Sequence, residues 1–163
     1  MVEDIVQESE VGRLSIGFDL GDRVSTYVIV DSAGKYLGGG KVGMTRGEVG
    51  ERFLRLPASL VAMETGTHSP WVSSLLEGLG HEVVVANARE VRLISRSAKK
   101  TDRRDAEQLA RLVRADRELL RPVRHRSAEA QEALSFIRTR ALLVETRTKW
   151  VNHIQGSVKV TGL

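Results

Sequence analysis

The sequence predicts an α/β domain built on a mixed sheet, three antiparallel strands followed by parallel ones, with flanking helices and a long coiled-coil-like helix behind it. Three observations carry this. The stretches "RLSIGFDL", "STYVIV" and "KYLGGGKV" follow one another across the turn signals Gly21-Asp22 and Asp31-Ser32-Ala33-Gly34, and connections that short join antiparallel neighbours. The run "SLVAME", "SPWVSSLLEGLG", "HEVVVAN" reads strand, helix, strand, the pattern of a buried parallel pair with a right-handed crossover. After Asn87 the chain turns helical and basic, and its last stretch carries an apolar residue alternately every three and four positions.

Taken in order, residues 1–12 read as a disordered acidic lead-in; "MVEDIVQESE" has neither the basic start nor the apolar stretch of a signal peptide. A folded domain is expected over residues 13–125 and a long helix, opening a coiled-coil segment, over 126–163. Between the third and fourth strands "TRGEVGERFLRL" suits a helix on a sheet surface, although two glycines weaken it. In the strand–helix–strand run, Ser69 is the expected N-cap, Pro70 the first helical residue and Gly80 the stop. "AREVRLIS" reads as a short helix and "SAKK" as a loop. Thr101 then caps the helix of "DRRDAEQLARLV". Pro122 breaks the run. From about Ser127 to Gln155 the long helix carries Leu134, Ile137, Ala141, Val144 and Val151 as a seam for a second copy of the chain, interrupted by Thr148.

Four carboxylates stand out. In the first strand Leu14, Ile16 and Phe18 share one face, while Ser15, Gly17 and Asp19 share the other, so Asp19 projects from a face kept clear by small side chains. A strand-end aspartate that starts a turn is the plainer alternative. Glu64 closes an apolar strand at its C-terminal end, where parallel sheets place ligands; a solvated strand-end glutamate is its alternative. In the basic helix the stripe Val113, Ala110, Leu109, Ala106 continues at the same spacing onto Asp105 and Asp102, which predicts two carboxylates turned toward the core. The helix dipole favours acids in a first turn by at most about 1 kcal/mol, less than the several kcal/mol that burying an unpaired carboxylate costs. A divalent cation resolves the conflict: Mg²⁺ or Mn²⁺ prefers oxygen ligands, and two such ions about 4 Å apart can clamp a phosphodiester.

Composition narrows the partners. The 163 residues carry a net charge of +4 and a pI near 9.8. Residues 89–126 hold 13 of the 25 Lys and Arg but 6 of the 21 acids, a local balance of +7 that leaves −3 elsewhere. A local basic segment is the footprint of a phosphate-backbone partner, or else a solvated helical face. Cysteine is absent, which excludes disulfides and thiolate-bound zinc and fits a cytoplasmic setting. No apolar run reaches the length of a membrane span. His68 is expected at the start of a helix rather than on a metal, and His81, His125 and His153 at the surface. Trp71 and Trp150 fall on apolar helical faces and are expected in the core.

"FDLG", "METGTHSPW", "VVVANAREVR" and "KKTDRRDAEQLARL", in this order and spacing, resemble the N-terminal domain of the DEDD-type insertion-sequence transposases. That group has the RNase H-like (RuvC-like) fold and includes Piv-like DNA invertases and bridge-RNA-guided recombinases; the likeness spans roughly residues 13 to 160. It implies that Asp19, Glu64, Asp102 and Asp105 form the catalytic and metal-binding tetrad, with two Mg²⁺ or Mn²⁺ ions. It places Lys99, Lys100, Arg103 and Arg104 beside the phosphates of DNA, with a guide RNA as a further partner, in a bacterial or archaeal cytoplasm. Family members carry a second domain with a serine nucleophile; its absence here predicts a truncated form or decayed gene. Two other readings compete: a nucleotide-binding domain of the actin and sugar-kinase superfamily, suggested by "IGFDLGDRVSTYVIVD", and a non-catalytic nucleic-acid adaptor, for which the basic segment suffices.

Overall fold

The strands form where alternation and turn residues place them: β1 (Ser15–Asp19), β2 (Val24–Val30), β3 (Tyr36–Gly43), β4 (Leu60–Glu64) and β5 (Glu82–Ala86). The structure, a computed structural model, describes residues 12–89 and 101–162. Residues 1–11 of the proposed lead-in, the end of the "AREVRLIS" helix, the "SAKK" loop, Lys99 and Lys100 lie outside the described residues. The strands make one sheet in the order β3-β2-β1-β4-β5, with β1–β2 and β2–β3 antiparallel and β1–β4 and β4–β5 parallel. This is the mixed sheet, three antiparallel strands followed by parallel ones, that the sequence predicts. Asp31 fixes the β2–β3 turn by accepting from the amides of Ala33 and Lys35 at 2.9 and 2.8 Å, and Gly34 takes the left-handed conformation, φ 83°, that a side chain would strain.

Helices cover both faces. On one, α1 (Arg46–Leu54) and α2 (Ser69–Gly78) bury Val49, Phe53, Val72 and Leu76 against Ile16, Phe18, Val61 and Met63. The two glycines do not break α1, because Thr45 caps it: its hydroxyl accepts from the Glu48 amide at 3.2 Å and donates to the Glu48 carboxylate at 2.6 Å. α2 starts one residue earlier than expected. His68 occupies the N-cap position, and the Ser69 hydroxyl instead accepts from the Gly66 amide and donates to the Gly66 carbonyl. Leu79 ends α2, and Gly80 (φ 89°) turns the chain into β5.

On the other face lies α3 (Asp102–Ala115), capped by Thr101, whose hydroxyl accepts from the Arg104 amide. Its Ala106 and Ala110 pack on Val28 and Val30, and its Leu109 and Val113 on Leu60, Ala62, Val84 and Ala86. The small side chains of β1 do not leave this face clear. They seat the helix: a Cβ added to Gly17 would stand 1.8 Å from the Ala106 carbonyl oxygen and 2.6 Å from the Ala110 nitrogen. A 3₁₀ turn, Arg117–Leu120, follows, and the chain then runs beside β5, with the Val123 amide donating to the Val85 carbonyl.

The described chain divides into two units, one ending at Arg124 and one beginning at His125. The second consists of α4 (Ala128–Val160), 33 residues long, capped by the Ser127 hydroxyl and without a buried side chain. It runs past the expected end at Gln155. Trp150, expected in the core, is 63 % exposed. Among the described residues no helix is long and apolar enough to cross a membrane.

His81 is a second correction, for it is buried rather than at the surface. Its Nδ1 accepts from the Ser59 amide and its Nε2 lies 3.2 Å from the Phe53 carbonyl, so the ring is neutral with its proton on Nε2. Burial lowers its pKa from the ordinary 6.5. The unfolded chain therefore binds a proton near pH 6.5 that the folded chain refuses. The stability this site contributes is complete above that pH and falls as the pH drops toward the lowered folded value, by at most about 1.4 kcal/mol per pH unit for one proton. Urea unfolding at pH 7.5 and 5.5 should show a smaller pH dependence in His81→Gln than in the wild type; equal pH dependence would mean that the imidazole does not titrate on unfolding.

Candidate acidic site at the strand ends

β1 and β4 are parallel neighbours in register, Phe18 beside Met63, and each ends one residue later, at Asp19 and at Glu64. Strand alternation puts Asp19 on the face of Gly17 and Glu64 on the face of Leu60 and Ala62, the face that α3 covers. Both are half-buried, and neither is without an interacting group. Thr26, buried, is the cross-strand partner of Asp19.

The direction of α3 decides what joins them. Its middle crosses Gly17, and near its C-terminus Arg114 donates to the Ser32 carbonyl in the β2–β3 turn, beyond the Ser15 end of β1. The helix thus runs opposite to β1 and β4, and its first turn comes to the end where Asp19 and Glu64 lie. Asp105 continues the Leu109–Val113 row and is half-buried. Asp102 does not face the core as the stripe predicted; it is exposed, because the buried surface of α3 starts at Ala106. The donor set, four carboxylates, has the chemistry of a hard divalent ion site. Among the described residues, however, no three His, Asp or Glu side chains stand in position to hold one ion together.

Around these acids lie groups of the opposite sign. Arg103 and Arg104 are exposed on the first turn of α3, and the Arg103 guanidinium sits over the Tyr36 ring, 4.8 Å from its centroid. His68 follows Glu64 by one short loop. Its Nδ1 accepts from the Trp71 indole at 3.1 Å, which leaves the proton on Nε2, 3.6 Å from the Asp22 carboxylate. At that separation no hydrogen bond forms, and Nε2 is buried without a hydrogen-bond partner among the described residues. Trp71 packs half-buried against the core, as expected. The sequence marks Asp22 only as a turn residue and Tyr36 not at all; the spacing His68-x-x-Trp71 was the available signal for the hydrogen bond between those two rings.

A mixed five-stranded sheet that ends two parallel strands in acids, with a helix N-terminus brought to the same end, defines an RNase H-like domain. The chain belongs to the DEDD-type insertion-sequence transposase family: the family model, described as "Transposase", matches residues 16–161. A relative described as a probable family 20 transposase, from Pseudomonas aeruginosa, is 36 % identical over 121 residues. The match takes in 74 % of this chain and 35 % of that protein, so the chain spans about a third of its relative's length. Two solved structures are similar in part. The RuvC structure from Thermus thermophilus has a TM-score of 0.46 at 14 % identity, covering 64 % of this chain and 96 % of that one. An inorganic polyphosphate/ATP-glucomannokinase from Arthrobacter sp. strain KM has a TM-score of 0.32 at 24 % identity, over 47 % of this chain and 44 % of that one.

Proposed function

We propose that this chain is the part of a DNA transposase that performs phosphodiester chemistry, with Asp19, Glu64, Asp102 and Asp105 as its catalytic acids. The observation that supports it most is the meeting of Asp19 and Glu64, on adjacent parallel strand ends, with the first turn of α3. These four residues would hold Mg²⁺ or Mn²⁺, and the ion, when bound, supplies charge neutralisation at the reacting phosphate. Asp19 and Glu64 are fixed by the sheet, so the adjustable part of the site is the helix turn carrying Asp102 and Asp105. Lys99, Lys100, Arg103 and Arg104 bind the phosphates of the DNA, and a guide RNA strand would meet the same cations. Residues 13–125 make up this catalytic unit; 126–163 pair with a second copy through the seam of Leu134, Ile137, Ala141, Val144 and Val151.

Ligands that bind the folded state raise its stability, by about 2.7 kcal/mol when the free ion is at 100 times its dissociation constant, or roughly 10 °C in melting temperature for a domain of this size. Titration with Mn²⁺ should produce such a rise, and Asp19→Asn or Asp102→Asn should remove it. Asp102 is exposed on the first turn of α3, so without metal its amide variant loses only the helix-dipole contribution, at most about 1 kcal/mol, and should melt within about 4 °C of the wild type. A wild-type melting temperature indifferent to Mn²⁺ would sink the proposal.

A further inference from the structure

We propose that the Arg103–Tyr36 contact is a platform for one unpaired base of a bound nucleic-acid strand. Tyr36, the first residue of β3, is 39 % exposed, and the guanidinium of exposed Arg103 lies over its ring at 4.8 Å. The contact joins an edge strand to the first turn of α3, so it is not a by-product of sequence proximity. A guanidinium held over an aromatic ring presents a flat cationic surface, and unpaired bases stack on such planes. A phosphate alone needs no ring behind the arginine.

The surroundings suit a strand. Past Tyr36 the chain continues Leu37-Gly38-Gly39-Gly40, so β3 carries three consecutive residues without side chains, and exposed Lys35 and Lys41 flank the stretch. Among the described residues β3 pairs on one side only, with β2. Tyr36 is paired with Val30 and, through it, aligned with Ser15, so the platform would hold a nucleotide toward the end of β1 away from Asp19, some way along the strand from the acids. The inference rests on the nucleic-acid reading given above, but its test reads binding, not metal response or cleavage.

The test is a cycle of two proteins and two ligands: wild type and Tyr36→Ala, each with fluorescently labelled oligothymidine and with an abasic strand of equal length, followed by anisotropy. Stacking is worth about 1–3 kcal/mol per base, so Tyr36→Ala should weaken binding of the base-bearing strand by roughly 5- to 100-fold and leave the abasic strand unchanged. Tyr36→Phe should bind as the wild type does. Arg103→Lys, which keeps the charge but not the plane, should behave like Tyr36→Ala while retaining the wild-type salt dependence. Repeating the cycle with oligouridine decides whether the strand is DNA or RNA, coupling in either series supporting the platform. Equal losses on base-bearing and abasic strands, no loss in either, or a wild type that binds no strand would overturn it; in the last case alone the nucleic-acid reading falls as well. Arg103→Ala, a change at an exposed residue, should weaken the abasic strand only through its lost charge and the base-bearing strand clearly more, and equal losses on the two strands would overturn the platform even if Tyr36→Ala failed to fold.

Discussion

Replacing Gly17 by alanine should cost this domain more stability than any other single methyl group. The added Cβ would stand 1.8 Å from the Ala106 carbonyl oxygen and 2.6 Å from the Ala110 nitrogen. Both are backbone atoms of a helix interior, so no rotamer change relieves the clash; α3 as a whole must lift from β1. Overpacking a core costs about 1–3 kcal/mol and occasionally more, and a clash with a helix backbone belongs at the upper end of that range. Total stabilities of domains are about 5–15 kcal/mol, so the loss is a large share. The lifted helix also shifts its first turn relative to the ends of β1 and β4. Gly50→Ala in α1 is the matched control, because nothing lies within 4 Å of its added Cβ and alanine is better than glycine inside a helix by roughly 0.5–1 kcal/mol. Urea unfolding should therefore move in opposite directions for the two variants, and amide exchange in Gly17→Ala should accelerate first in α3. Equal stability of the two variants would show that the helix does not rest on Gly17.

That glycine also shows how far the sequence could be read. Alternation correctly separated Leu14, Ile16 and Phe18 from Ser15, Gly17 and Asp19, and the turn residues correctly paired the first three strands, because both signals are local. What a small side chain is small for is not local. Gly17 looked like the floor of an open site and is the seat of a helix ninety residues later in the chain. The same gap explains Asp102: a helical stripe continues in sequence whether or not the surface beneath it does, and the sheet under α3 ends before the helix's first turn. His81 followed a glycine and preceded a glutamate, with nothing nearby to mark it as buried. Its partners, the Ser59 amide and the Phe53 carbonyl, lie 22 and 28 residues away. The four acids were legible as types at spacings; their positions relative to one another needed the direction of α3.

The seam of α4 should hold two copies of the chain together, and two substitutions should separate them. A 33-residue helix without one buried side chain has little to hold it straight on its own: the Ser127 cap and the Glu145–Lys149 pair at 2.7 Å contribute only about 1 kcal/mol and about 0.3–0.5 kcal/mol. Most helical stability comes from packing an apolar face, and here Ile137, Val144 and Val151 are 63 %, 47 % and 44 % exposed. Thr148 weakens the seam less than its polarity suggests, since its hydroxyl donates to the Val144 carbonyl at 3.0 Å and needs no partner from outside. A second stripe that the heptad pattern did not reveal, Phe136, Leu143 and Trp150, is 70 %, 65 % and 63 % exposed and recurs every seven residues on the far side of Arg140 and Arg147. Leu134→Glu with Val144→Glu puts four carboxylates into a paired seam. Losing about 1.5–3 kcal/mol of burial at each of the four positions totals roughly 6 kcal/mol or more, which weakens pairing about ten-thousandfold. Sedimentation should accordingly show a concentration-dependent dimer for the wild type and a monomer for the double variant, with helicity falling as the dimer is lost. Thr139→Glu, placed on the opposite side of the helix, should leave the dimer intact. A wild type that stays monomeric at every concentration would refute the pairing, and a Thr139→Glu monomer would place it on the stripe of Phe136 and Leu143, three and four residues from Thr139, instead of the seam.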